Sequence, residues 1–89
     1  MALVEFTPQL CRFVDAPSCR CEAYTLREAL EAAFAAQPRL RGYILDEQGH
    51  LRVNVAVFID GRRARDPRGL SDPLRSDSRI HVLQALSGG

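Results

Sequence analysis

Apolar and polar positions along this chain switch from a strand-like alternation to a helix-like spacing and back. Residues 2–6 read as a first strand, interrupted by Thr7-Pro8, and residues 10–14 are a second apolar piece whose form the pattern leaves open. Asp15-Ala16-Pro17-Ser18 is a turn cluster. Cys19-Arg20-Cys21-Glu22-Ala23 alternates again, which predicts a half-buried strand with Cys19 and Cys21 on its core face. Thr25-Leu26-Arg27-Glu28 is a capping box: the Thr25 hydroxyl accepts from the Glu28 amide while the Glu28 side chain reaches back. Leu26, Leu30, Ala33 and Phe34 then fall on one face, so the spacing predicts an amphipathic helix over 26–37, stopped by Pro38. After Arg39-Leu40-Arg41-Gly42-Tyr43-Ile44-Leu45 comes the polar turn Asp46-Glu47-Gln48-Gly49-His50. Residues 53–59 are rich in β-branched side chains and predict the strongest strand, with Val53, Val55, Val57 and Ile59 on one face and Asn54, Ala56 and Phe58 on the other. Asp60-Gly61 accepts the positive φ angles of a type I′ hairpin turn and leads into a short return strand over 62–65. Residues 66–74 read as loop or single-turn helix, and 80–83 as the last strand, with Ile80 and Val82 inward and His81 and Leu83 outward.

Strand, strand, helix, strand pair, strand is the order of a single α+β domain in which one main helix crosses a small mixed β-sheet, the β-grasp architecture. The domain is expected over residues 1–84, with 85–89 as a flexible C-terminal tail. An 89-residue chain holds one core, with an expected radius of gyration of about 12 Å.

Composition removes several functions. All 12 basic residues are arginine, so neither a P-loop nor lysine Schiff-base chemistry is available. A net charge of +1 is no footprint for nucleic acid. The longest apolar runs have five residues, far short of the roughly 20 that cross a bilayer, and the start of the chain lacks the pattern of a signal peptide. The expectation is a cytoplasmic protein with no membrane partner. Cys11, Cys19 and Cys21 have no CxxC spacing and read as small apolar fillers, with Cys19 and Cys21 expected to be reduced, buried and unmetallated. His50 and His81 belong to no metal or protease motif, and Asp46-Glu47 is an adjacent carboxylate pair in a turn. Arg62, Arg63, Arg65 and Arg68 form a basic run, either a solvated face or a surface that steers an acidic partner. No catalytic side chain and no metal ligand is assigned.

The informative feature is the end. Average glycine usage near 7% puts two glycines last in only about 0.5% of chains, and here Gly88-Gly89 follow directly on a predicted strand. A residue without Cβ threads a narrow slot and presents an unhindered carboxylate, and five extended residues reach about 17 Å from the sheet.

Leu86-Ser87-Gly88-Gly89 after the last strand, the hairpin Val53-Asn54-Val55-Ala56-Val57-Phe58-Ile59-Asp60-Gly61, and Gly69-Leu70 with Asp77 before the last strand carry a resemblance to the MoaD/ThiS family of ubiquitin-like sulfur carriers over essentially the whole chain. The resemblance implies a protein co-substrate rather than an enzyme, although such a carrier can be the small subunit of a complex like molybdopterin synthase. An adenylating activating enzyme of the MoeB/ThiF type uses ATP-Mg in trans to adenylate Gly89. Sulfur from a persulfide displaces AMP, and the Gly89 thiocarboxylate donates sulfur to a sulfur-accepting synthase. No cofactor is bound. Leu86, Ser87 and Gly88 make the tail, and Phe58, His81 and Leu83 on the open sheet face are the implied partner-binding residues. The acceptor pathway stays open between molybdopterin, thiazole, cysteine and siderophore-type metabolites. Two departures bear on it: Gln84-Ala85 stands where many family tails read Pro-Ala, and residues 38–52 are longer than in the shortest members, closer to carriers serving cysteine or siderophore-type metabolites. Two other readings remain: a ubiquitin-like modifier conjugated through Gly89, and a β-grasp interaction module whose tail is never activated.

Overall fold

The computed structural model describes residues 1–8, 10–12 and 14–84. Five strands form one mixed sheet in the order β2-β1-β5-β3-β4: β1 (Ala2–Phe6), β2 (Cys19–Cys21), β3 (Val55–Ile59), β4 (Arg62–Arg63) and β5 (Arg79–Gln84). β1 pairs antiparallel with β2 and parallel with β5, and β5 pairs antiparallel with β3. The main helix α1 (Leu26–Ala36) lies on one face of the sheet, closest to β1 and β2, and is followed by a short helix α2 (Leu40–Ile44). The Cα radius of gyration, 11.8 Å, is that of one compact unit.

The helix forms for the reasons its sequence gives. Thr25 Oγ1 accepts from Glu28 N at 3.3 Å, and Glu28 Oε1 accepts from Tyr24 N at 2.7 Å, one residue earlier than the simplest capping box. Two further amides at the helix start donate to loop carbonyls: Leu26 N to Asp72 O (2.9 Å) and Arg27 N to Leu70 O (2.8 Å). The loop before β5 thus satisfies donors that a helix start leaves open. Leu26, Ala29, Leu30, Ala33 and Phe34 are buried, and Leu30 and Phe34 share one core with Val4, Val57, Ile80 and Val82.

Several expectations are corrected. Val53 and Asn54 are not in the strand: Val55 N donates to Arg52 O, closing a turn, and β5 pairing reaches Val55 opposite Gln84. Val53 is fully exposed, so its β-branched side chain belongs to a turn and not to the inner face. The strand expected over 19–23 ends at Cys21, and Cys19 is only half-buried because β2 is an edge strand. The return strand is confined to Arg62–Arg63, because the Asp72 carboxylate captures the next free amides, Arg65 N (2.8 Å) and Asp66 N (2.9 Å). The unassigned stretch after Pro38 supplies α2, whose Leu40 and Ile44 are fully buried. The Asp60-Gly61 turn has φ of 51° and 85°, as the I′ geometry requires.

Candidate functional site

Strand β5 is central, so its residues are held from both sides. Ile80, Val82 and Gln84 face the helix side, while Arg79, His81 and Leu83 face the open side. Gln84, the last described residue, is 9% exposed. Its Nε2 donates to Tyr43 O in α2 at 3.1 Å, and its backbone N lies 3.5 Å from Thr7 Oγ1. The backbone donor that a proline here would lack is therefore directed at the end of β1. Gln84 Oε1 is buried without a hydrogen-bond partner among the described residues.

The open sheet face follows from the register. His81 stands opposite Phe58 on β3 and beside Glu5 on β1, and Phe58 stands opposite Arg63 on β4. Glu5, His81, Phe58 and Arg63 therefore make one row across four strands, with Leu83 and Ala56 in the next row. Glu5 Oε1 lies 3.2 Å from His81 Nε2 and 3.3 Å from Arg79 Nη2. Leu83 is 40% exposed and forms a rib between two open grooves. One, of about 400 Å³, is lined by Thr7, residues 53–56, Arg63 and Gln84; the other, of about 310 Å³, by Glu5, Phe6, Thr7, Pro8 and His81. Both flank the end of β5.

The sequence-predicted residues Phe58, His81 and Leu83 are thus brought together on the face opposite α1, with Phe58 half-buried and His81 exposed. Leu86, Ser87, Gly88 and Gly89 lie outside the described residues. Glu5 and Thr7 were not singled out from sequence; only the parallel β1–β5 pairing brings them beside His81 and Gln84.

Other candidates resolve into structural roles. Asp46 Oδ1 accepts from Gln48 N (2.8 Å) and His50 N (3.0 Å), and these bonds hold its carboxyl below the usual range as the keystone of its turn. Burial, then the neighbouring Cys19, pushes the Cys21 thiol up, which favours the unreactive protonated form. Among the described residues no group of three His, Cys, Asp or Glu side chains is placed to hold a metal ion, and no helix is long and apolar enough to cross a membrane.

Residues 9–89 match the sequence profile of the ThiS family. No curated protein matches the chain by sequence. Among solved structures, it is similar to small archaeal modifier protein 1 of Haloferax volcanii, with 20% identity, a TM-score of 0.82, and coverage of 99% of this chain and 98% of that one. The same protein of Methanosarcina acetivorans aligns with 20% identity, a TM-score of 0.79, and coverage of 99% and 95%. A chain of the Amycolatopsis orientalis BexX/CysO complex aligns with 18% identity and a TM-score of 0.80, covering 100% of both. At these identities the likeness establishes the ubiquitin-like β-grasp fold.

Proposed function

Because the chain belongs to the ThiS family, we propose that it is a sulfur carrier whose Gly89 carboxylate is activated and converted to a thiocarboxylate by partner enzymes. The carboxylate oxygen attacks the α-phosphorus of ATP and pyrophosphate leaves, giving an acyl adenylate. A persulfide sulfur then attacks the acyl carbon and AMP leaves. A thiol reduces the resulting acyl disulfide, freeing the thiocarboxylate. Each step is a partner's chemistry; this chain contributes the unhindered terminal carbon and a rigid surface by which it is held. The observation that carries the reading is the placement of Gln84, the last described residue: it lies on the central strand, between two grooves and next to the open face of Phe58, His81 and Leu83. An adenylating enzyme of the MoeB/ThiF type, using ATP-Mg, and a sulfur-accepting synthase are the partners this reading requires. The fold likeness to a chain of a complex containing CysO supports it.

The likeness to two archaeal modifier proteins favours a second reading, conjugation of Gly89 to an amine of a target protein. Having no lysine, the chain would be a donor that cannot be extended on its own side chains.

Intact-mass analysis after incubation with a cognate activating enzyme, ATP-Mg and a persulfide donor separates the two. The expected result is the mass gain of one oxygen-to-sulfur exchange, absent when Gly89 is deleted. An amide-linked adduct without thiocarboxylate assigns the modifier role, and no ATP-dependent change with any activating enzyme of the source organism overturns both.

A further inference from the structure

The hairpin edge of the sheet carries a cationic groove that adjoins the larger groove at the end of β5 through Arg63. It is open, encloses about 310 Å³, and is lined by the exposed Arg62, Arg63, Arg65 and Arg75 over the apolar floor of Ile59 and Pro73. An even balance of charge over the whole chain would lead one to expect these guanidiniums to be neutralised locally, because Asp60, Asp66 and Asp72 are close in sequence. They are neutralised only in part. Asp72 also lines the groove, but its two oxygens accept from Arg65 N and Asp66 N. Asp66 accepts from Gly69 N and from Ser71 N and Oγ. Asp60 accepts from Ser78 Oγ and Arg79 N, and the charge of Arg75 also acts on it. Each acid is engaged by backbone or hydroxyl donors, and among the described residues the ion pairs involve Arg41 with Glu31, and Arg79 and His81 with Glu5. Four guanidiniums therefore share one groove with a single lining carboxylate, Asp72, and among the described residues none of the four forms an ion pair.

We propose that this groove docks a carboxylate-rich segment of a partner protein. Guanidinium forks match carboxylates in bidentate geometry, and Ile59 with Pro73 gives such a segment an apolar strip to cover. Single-stranded nucleic acid fits less well, since it calls for aromatic platforms and no aromatic side chain lines the groove. Four like charges within one groove also raise the local concentration of an acidic partner and speed its encounter, an effect confined by a Debye length of about 8 Å at physiological salt. The proposal does not depend on activation of Gly89.

The test is a titration of the full chain with a fluorescent deca-glutamate peptide, read by anisotropy and by amide chemical shifts. Binding is expected to weaken steeply with added salt, with shifts concentrated in residues 59–75. Arg62→Glu and Arg75→Glu should each weaken binding about fivefold, the upper scale of an exposed ion pair. Arg39→Glu, which changes net charge equally at an exposed site outside the groove, should change it far less. Equal losses in all three variants would reduce the effect to net charge and overturn the proposal. So would shifts centred elsewhere, no binding at low salt, or tighter binding of poly-uridylate than of deca-glutamate.

Discussion

The side-chain amide of Gln84 donates to the carbonyl of Tyr43 at 3.1 Å, tying the end of the central strand to the short helix α2. The other end of that amide, Oε1, is buried and unpartnered. The contact therefore fixes the last described residue of β5 while leaving one polar atom unsatisfied among the described residues.

Gln84→Ala removes one neutral hydrogen bond together with the unsatisfied oxygen, and is expected to cost only about 1 kcal/mol. Gln84→Glu sets a carboxylate against the Tyr43 carbonyl in a buried place and should cost more at pH 7. Burial and the facing carbonyl raise that carboxyl's native pKa above its unfolded value. Its deficit is therefore full at pH 7 and relieved as pH falls through the raised value. Urea denaturation at pH 7 and at pH 4.5 checks this: equal deficits at both would show that the side chain has turned out to solvent.

Phe34 lies on the buried face of α1, with the Arg41 guanidinium 4.9 Å from its ring centroid. Phe34→Ala is expected to destabilise by about 3–5 kcal/mol, combining lost transfer energy with a cavity under the helix. A denaturation series showing a loss below about 1 kcal/mol would remove Phe34 from the core.

On the open face, Leu83→Arg should weaken binding to the activating enzyme or to the sulfur acceptor while leaving the melting temperature nearly unchanged. An arginine on an apolar contact must lose its water without gaining a partner. Phe58→Arg should act in the same direction, with some loss of stability because the new charge faces Arg63 and His81 across the strands. Calorimetric titration that finds both variants binding as wild type would place the interface elsewhere.

Asp60 has its carboxyl held below the usual range, first by the Arg79 backbone N–H and then by the Ser78 hydroxyl. Its native pKa is depressed, so the stability it contributes is full above the ordinary aspartate value of about 3.9 and is lost as pH falls below that through the native value. Asp60→Asn keeps a residue tolerant of the 51° φ. It should flatten the acid side of the stability–pH curve measured by thermal melts between pH 5 and about pH 2.5. An unchanged slope would show that this carboxylate does not couple to folding.

The sequence made the local features legible and the long-range ones opaque. The capping box, the buried stripe of α1, the Asp60-Gly61 turn and the outward placement of Phe58, His81 and Leu83 each depend on neighbours a few residues away. Val53 misled because its β-branched side chain favours a strand, while the turn from Arg52 to Val55 and the register of β5 decide otherwise. Helix α2 was missed because two buried positions, Leu40 and Ile44, separated by Gly42, are too few to establish a period. Glu5 and Thr7 could not be found as parts of the β5 surroundings, because parallel pairing between distant segments leaves no local pattern. The bonds that occupy Asp60, Asp66 and Asp72 were equally invisible, as was the gathering of Arg75, and not Arg68, with Arg62, Arg63 and Arg65 in one groove.

The parallel pairing of β1 with β5 also governs the order in which the molecule can be made. In the sheet, the β1–β2 pair and the β3–β4 hairpin are joined only through β5, and Val4 meets Ile80 across nearly the full described length. Such distant contacts must overcome loop-closure entropy first and are slow to form. On a ribosome the earlier segments would emerge as two separate two-stranded pieces, each marginal in water by itself. The sheet closes only after β5 has been delivered, so a chain truncated before residue 79 would leave the two pieces unjoined and the open face unformed.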